Sequence, residues 1–281
     1  MQFEVVPAYA VSLDEQARVA NEAFAGYVGG WSELDAASLA RFLMLQGADL
    51  FHSRFVRTAE GLAGFGYITR TANIVRLSGM GVIPSARGTG AAAYLLLHLF
   101  DEAKASGDVA MTLEVIEQNP RAHSLYLRHG FEQVARLSGW RLRPDAERPR
   151  ETDAMLTAVS VLDVLGVPTH RNYPDVPWQI SRHAIAKVPN LRAYRYGDAH
   201  VVISDPAATP IRIYALLSRT GDSAELRGAL HAVMRMFPDR EFFAPPLWPE
   251  DLSTEVFAPL GFAPEQISQF FMRRDFGASP Q

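Results

Sequence analysis

Cysteine is absent from this chain of 281 residues, which excludes disulfides, thiolate metal sites and any cysteinyl covalent intermediate. A large excess of charge of either sign is lacking as well. The net charge is −4, so no basic surface argues for nucleic acid as a partner. No run of some 18 apolar residues is present to span a bilayer, and the N-terminal M-Q-F-E-V-V-P lacks the basic and apolar regions of a signal peptide. The eight histidines form neither H-x-x-x-H nor H-x-H, so no metal site is expected. Together these absences point to a cytoplasmic, metal-free protein. What is present is a soluble globular composition, 48% apolar and 21% charged, with length enough for two domains.

Hydrophobic periodicity lays out the first half. Phe3–Tyr9 reads as a strand, and Ser12 or Asp14 can cap a helix running to about Phe24. Asp35 can cap another over Ala36 to Leu45. Strands are expected at Leu50–Arg57 and Leu62–Thr69, turning at Glu60-Gly61, and at Asn73–Ile83, where Gly79 suits a bulge. Ala92, Leu96, Leu99 and Ala103 then mark a helix from Gly90 to Ala105. Val109–Ile116 is the next strand. Asn119 opens a short helix with Pro120 at its first position, Gly130 ends it, and Phe131–Leu142 closes the unit. The charged, proline-bearing Arg143 to Arg150 reads as a junction.

The second half echoes the first. Leu191–Tyr196, Ala199–Ser204 and Ile211–Leu217 read as strands, Ala224–Phe237 as a helix and Glu241–Ala244 as a short strand. Setting Gly261-Phe262 on Gly130-Phe131 brings Phe257 to the place of Tyr126 and Glu250 to that of Asn119.

Chemistry concentrates between Val82 and Ala92, V-I-P-S-A-R-G-T-G-A-A. The first N–H groups of a helix lack intrahelical partners and carry partial positive charge. A pyrophosphate can accept from them if no side chain intervenes. Gly88 and Gly90 give clearance, Ala91 and Ala92 keep the first turn slim, and Arg87 adds a fork of donors. Gly88 to Ala93 also spells the dinucleotide pattern G-x-G-x-x-A, with Glu114 near the distance of a ribose-binding acid. Against that alternative, Pro84 to Arg87 separate the strand from the first glycine, and several elements precede it. A Walker loop is excluded, since no G-K-[ST] follows.

A second motif follows: Asn119, Ala122, Leu125, Tyr126 and Gly130-Phe131, in the pattern N-x-x-A-x-x-L-Y-x-x-x-G-F. With R-G-T-G-A-A after a V-x-P strand exit, the first half resembles the GNAT superfamily of N-acyltransferases. The resemblance implies an α/β fold with a mixed sheet: an intact GNAT-like domain over residues 1–144 and a degenerate GNAT-like repeat over 145–281. It implies that the sheet splays beside a bulged strand. Backbone of Met80, Gly81, Val82 and Ile83 would hold the pantetheine arm of acetyl-CoA, and Arg87, Gly88, Thr89, Gly90, Ala91 and Ala92 its pyrophosphate. Asn119 would approach the arm and Tyr126 its sulfur. The implied activity is N-acetyl transfer to a primary amine by direct attack in a ternary complex. A non-catalytic acyl-CoA-binding or sensing role stands as the alternative.

In that chemistry the acceptor amine must lose a proton, a cost of roughly 4–5 kcal/mol at pH 7 for a lysine-like group. Glu114 is the first candidate base. It stands twelve residues before Tyr126, the spacing found in family members that acetylate ribosomal-protein N-termini. Glu117 and His123 are weaker candidates. Tyr126 is the expected acid for the leaving thiolate, since phenol and thiol pKa values are comparable. Phe24, Tyr27 and Trp31 fall where acceptor-side loops would lie. In the second half Asp222 and Glu225 form a D-x-x-E pattern that would cap the helix itself and repel phosphate, while Phe257 offers no proton. That half is expected to serve packing, acceptor shaping or a homodimer.

Overall fold

The computed structural model describes residues 2–146, 155–171 and 174–277. The junction stretch lies outside these residues beyond Ala146. Two compact units emerge: the first holds residues 1–134 and 272–281, the second 135–271.

In the first unit the strands lie in the order β1-β2-β3-β4-β5. These are β1 (Glu4–Pro7), β2 (Arg54–Thr58), β3 (Gly61–Thr71), β4 (Ile74–Val82) and β5 (Ala110–Ile116). Pairings are antiparallel up to β4, and β4 and β5 run parallel. Helix α1 (Leu13–Phe24) is capped by Ser12, which accepts from Glu15 N–H at 3.2 Å. Helix α2 (Ala36–Gln46) is capped by Asp35, which accepts from Ser38 N–H at 2.7 Å. Both satisfy helix-start donors that would otherwise be orphaned. Strand β2 begins four residues later than its apolar pattern suggests. Asp49 Oδ1 accepts from the N–H groups of Phe51 and His52, and this Asx turn takes the backbone donors a strand would use.

Helix α3 (Ala91–Ala105) buries Ala91, Leu95, Leu96, Leu99, Phe100 and Ala103. The stripe includes Leu95 and Phe100 and leaves Ala92 half-exposed. Helix α4 (Pro120–Arg128) is capped by Asn119, whose Oδ1 accepts from Ala122 N–H at 3.2 Å. Strand β6 (Glu132–Leu142) follows.

The second unit begins with β7 (Thr157–Val159), the short helices α5 (Val161–Leu165) and α6 (Arg182–Ile185), β8 (Arg192–Tyr196), β9 (Ala199–Ile203) and β10 (Ile211–Leu217). Helix α7 (Ser223–Met236), β11 (Phe242–Pro249), α8 (Glu250–Phe257) and β12 (Ala263–Asp275) complete the chain. Strand β11 runs five residues past its expected end at Ala244, because Trp248 and Pro249 pair antiparallel with Ser138 and Leu137. Strands β7 to β11 lie in sequence order, antiparallel through β10 and then parallel between β10 and β11. That is the β1-to-β5 plan, with α7 in the place of α3 and α8 in that of α4. Phe131 N–H donates to Tyr126 O at 3.1 Å, and Phe262 N–H donates to Phe257 O at 3.3 Å. Gly130 (φ +79°) and Gly261 (φ +85°) occupy the same left-handed turn.

The end of the chain folds with the first unit. Phe276 N–H donates to Val109 O at 2.8 Å. The Arg274 guanidinium lies 4.1 Å from the Phe100 ring centroid and donates to His129 O at 2.5 Å.

Candidate active site

Strand β4 carries the site because it is broken at one residue. Its register with β3 shifts between Tyr67↔Gly79 and Ile68↔Leu77, leaving Ser78 as the extra residue of a bulge. Ser78 Oγ donates to Tyr67 O at 3.1 Å. Pairing between β4 and β5 stops at Leu77↔Leu113, yet the strands continue to Val82 and Ile116. A bulge increases local twist and bends its strand, so the parallel pair parts there. Exposure follows the geometry: Ile74 to Leu77 are buried, whereas Ser78 to Ile83 are all partly exposed. Met80, Gly81 and Val82 therefore lie on β4 where its pairing with β5 has ended, the setting for an added extended segment, whereas Ile83 N–H donates to Ala63 O at 2.9 Å.

At the end of β4, Pro84–Ala86 makes a single 3-10 turn that leads into the loop at Arg87. Gly88 (φ +82°) and Gly90 (φ +97°) take left-handed backbone, which side chains disfavour. Gly90 is the N-cap of α3 and no side chain caps the helix. The first turn, starting at Ala91 and Ala92, thus keeps its N–H groups for an outside acceptor. Nothing lies within 4 Å of a Cβ built at Gly88. Thr89 Oγ1 donates to Ala86 O at 2.7 Å. Arg87 does not reach outward: Nε donates to Val82 O at 3.2 Å and Nη2 to Ala23 O at 2.9 Å. Its side chain braces the loop between the ends of β4 and α1.

Tyr126 is 8% exposed and packs edge-on against Phe131 at 5.6 Å. Burial, and secondly the neighbouring Tyr27, push its phenol well above its ordinary pKa. Burial thus makes Tyr126 a weaker acid than a free phenol, a departure from the comparable phenol and thiol values expected from sequence. Tyr27 is hydrogen-bonded to the Asn119 side chain, and burial raises its pKa too, partly offset by that bond. Asn119 and Tyr126, joined by α4, thus meet a third polar side chain from the α1–α2 loop. Phe24, the last residue of α1, packs with tilted rings 5.0 Å from Tyr27 and 4.6 Å from Trp31.

Glu114 is placed differently from a poised base. Its Oε2 accepts from Arg76 Nη2 at 2.7 Å and Nε at 2.9 Å, and both side chains are 3% exposed. Arg76 Nη1 also donates to Gln46 Oε1 at 3.1 Å. Sequence reasoning missed Arg76 and the importance of Tyr27. The signal for the first was an arginine inside the apolar I-V-R-L of β4, one strand from the glutamate of L-E-V.

The second unit repeats the splay but closes the site. Strand β10 has its own register shift, at Tyr214, and pairs with β11 only at Ile211↔Phe242 and Arg212↔Phe243. At the start of α7, Asp222 accepts from Ala224 N–H at 2.8 Å. Glu225 does not complete a reciprocal box; it accepts from Asp198 N–H at 3.0 Å and Thr220 Oγ1 at 3.1 Å. His170 covers the loop so closely that a Cβ at Gly221 would lie 2.4 Å from its Cδ2. Phe257 is fully buried, 6.1 Å from Trp140 and 5.5 Å from Trp248.

The first unit thus combines a bulged mixed sheet, parted beyond Leu77↔Leu113, with a helix start that no side chain caps. Residues 17–131 match the model of the acetyltransferase (GNAT) family. The GCN5-related N-acetyltransferase from Anabaena variabilis is similar over 98% of this chain and 73% of its own, with TM-score 0.64 and 15% identity. That from Sphaerobacter thermophilus gives 0.64 and 14%, covering 99% and 97%. A tandem GNAT protein from the clavulanic acid biosynthesis pathway gives 0.62 and 15%, covering 99% and 100%. At such identities the likeness is one of fold, and that fold spans both units. No curated protein matches the chain significantly in sequence. Among the described residues no helix is long and apolar enough to cross a membrane.

Proposed function

We propose that the first unit is an acetyl-CoA-dependent N-acetyltransferase acting on a primary amine, with one active site per chain, and that the second is a degenerate copy without one. The observation that supports this reading is an α3 start with no side-chain cap in the same unit as a buried Tyr126 on α4. The fit to the coenzyme is chemical. Main-chain donors at Gly88 to Ala92 suit a diphosphate, and the unpaired edge at Met80 to Val82 suits the amides of the pantetheine arm. Arg87 contributes by bracing the loop and placing positive charge at the helix start.

Tyr126 gives its proton to the departing sulfur as the carbon–sulfur bond breaks. Backbone N–H on the bulged strand near Met80 to Val82 receives the developing oxyanion. Deprotonation of the amine is assigned to water, because the Glu114 carboxylate is buried and held by Arg76. The two Arg76 bonds fix that carboxylate in the sheet rather than leaving it to swing onto a bound amine. With no cysteine in the chain, attack is direct. A nucleotide-dependent oxidoreductase is disfavoured, because the Pro84–Ala86 turn and Arg87 stand between strand and first glycine.

The test is incubation with acetyl-CoA and a panel of primary amines, following release of free thiol. Turnover that Tyr126→Phe lowers by about 10²–10⁴-fold, the range of general-acid catalysis, supports the reading. Absence of both turnover and calorimetric acetyl-CoA binding ends it, and binding without turnover favours the sensing role.

A further inference from the structure

The second unit keeps one arginine of the first and lacks its partner. In β4 the bulged residue is Ser78, two beyond Arg76; in β10 it is Tyr214, two beyond Arg212. Both arginines also lie in the short parallel pairing that precedes the splay: Arg76 opposite Thr112, and Arg212 opposite Phe243. By bulge and by register, then, Arg212 is the counterpart of Arg76. Glu114 stands two residues beyond Thr112 and grips Arg76 side-on, through Nε and Nη2. Two residues beyond Phe243 stands Pro245, which has no carboxylate to offer.

Arg212 is left with a charge that the protein does not neutralise. Its buried Nε has no hydrogen-bond partner among the described residues. The guanidinium carbon lies 5.0 Å from the Tyr214 ring centroid, a cation–π contact that leaves the N–H edge unused. Glu241, just before β11, and Glu265 on β12 both go to Arg141, and no ion pair joins a carboxylate to Arg212 among the described residues. An arginine stays protonated, and a half-buried cation without an acceptor is costly. Solute can reach it: Ile211 and Ile213 are fully buried on the α7 side, whereas Arg212 and Tyr214 are partly exposed. Tyr214 packs on the opposite face with Val164 of α5 and Ile185 of α6.

We infer that the second unit holds a binding site for a small carboxylate, gripped side-on by Arg212 Nε and Nη2 in the place that Glu114 takes on Arg76, with the Tyr214 ring stacked on the guanidinium. A planar carboxylate matches that fork. The inference does not depend on the acetyltransferase reading of the first unit.

The test is a titration of the full chain with propionate, exchanged against chloride at constant ionic strength, following the arginine Nε–H resonances by NMR. The Arg212 signal should shift and saturate, while that of Arg76, already held by Glu114, stays in place. Propionate should also raise the melting temperature of the wild type and leave that of Arg212→Met unchanged. Arg212→Lys keeps the charge without the fork, and its affinity for propionate should fall at least about tenfold, the size expected of a hydrogen bond to a charged group. A wild-type Arg212 signal that does not move or never saturates overturns the inference, whatever the variants do. So does a shift that chloride alone reproduces, a melting-temperature rise that persists in Arg212→Met, or an Arg212→Lys protein that binds propionate as tightly as wild type.

Discussion

The two units of this chain share a strand order, a bulge beside a parallel pair and a glycine turn after the last helix, and at the proposed coenzyme cleft they differ in chemistry at two places. Where α3 begins at Gly90 with no cap, α7 begins at Asp222, whose carboxylate occupies Ala224 N–H. Where Tyr126 stands, Phe257 stacks between Trp140 and Trp248. In the first unit no side chain caps the helix start; in the second Asp222 does. On the proposed reading, the fold gives the cleft, and a cap and a phenol separate the unit that works from the one that does not.

Exchanging those features should expose the asymmetry. The largest effect belongs to the phenol: Tyr126→Phe lowers kcat by about 10²–10⁴-fold, whereas the converse Phe257→Tyr confers no activity in a Tyr126→Phe background. That second substitution instead costs about 1–3 kcal/mol, since it buries a hydroxyl among tryptophan rings. Steady-state kinetics and thermal melts read both.

Next comes the Arg76–Glu114 pair. Glu114→Gln leaves the guanidinium buried beside a neutral amide, and a loss of about 3–5 kcal/mol is expected in chemical denaturation. A Glu114→Gln protein of unchanged stability but abolished turnover would make Glu114 a base first and a structural partner second.

The helix starts give a smaller contrast. Ala92→Glu puts a carboxylate in the first turn of α3, which favours the helix but repels a diphosphate. Coenzyme affinity should fall at least about tenfold, equivalent to 1.4 kcal/mol, with no loss in melting temperature. Asp222→Ala should do the opposite: coenzyme affinity is unchanged and stability falls by about 1 kcal/mol for the missing cap.

The pH profile gives the mildest test. Burial raises the Tyr126 pKa, so the proton stays on past the pH at which an ordinary phenol loses it. Accordingly kcat should show no alkaline fall from Tyr126 ionisation up to about pH 10.

Much of this was legible in residues alone. The loop, Asn119 and Tyr126 carry local signals: glycines where backbone turns left-handed, an Asn-Pro helix start and a Gly-Phe helix end. The likeness of the halves could be read from Gly261-Phe262, and β7 to β11 repeat the order of β1 to β5. What the sequence did not disclose lies in long-range partnership. Arg76 meets Glu114 across two strands, Arg87 turns back onto Ala23, and Arg274 reaches His129 from the far end of the chain. Periodicity assigns a residue to a face but not to a partner. The late start of β2 has a local cause, the Asp49 turn, which apolar alternation outweighed.

The most direct test of the account is a calorimetric titration of the full chain with CoA. One equivalent per chain should bind, with affinity lost on Ala92→Glu and kept on Asp222→Ala. Two equivalents, or an Ala92→Glu protein that binds as tightly as wild type, would contradict the claim that the bare start of α3 is the coenzyme's anchor.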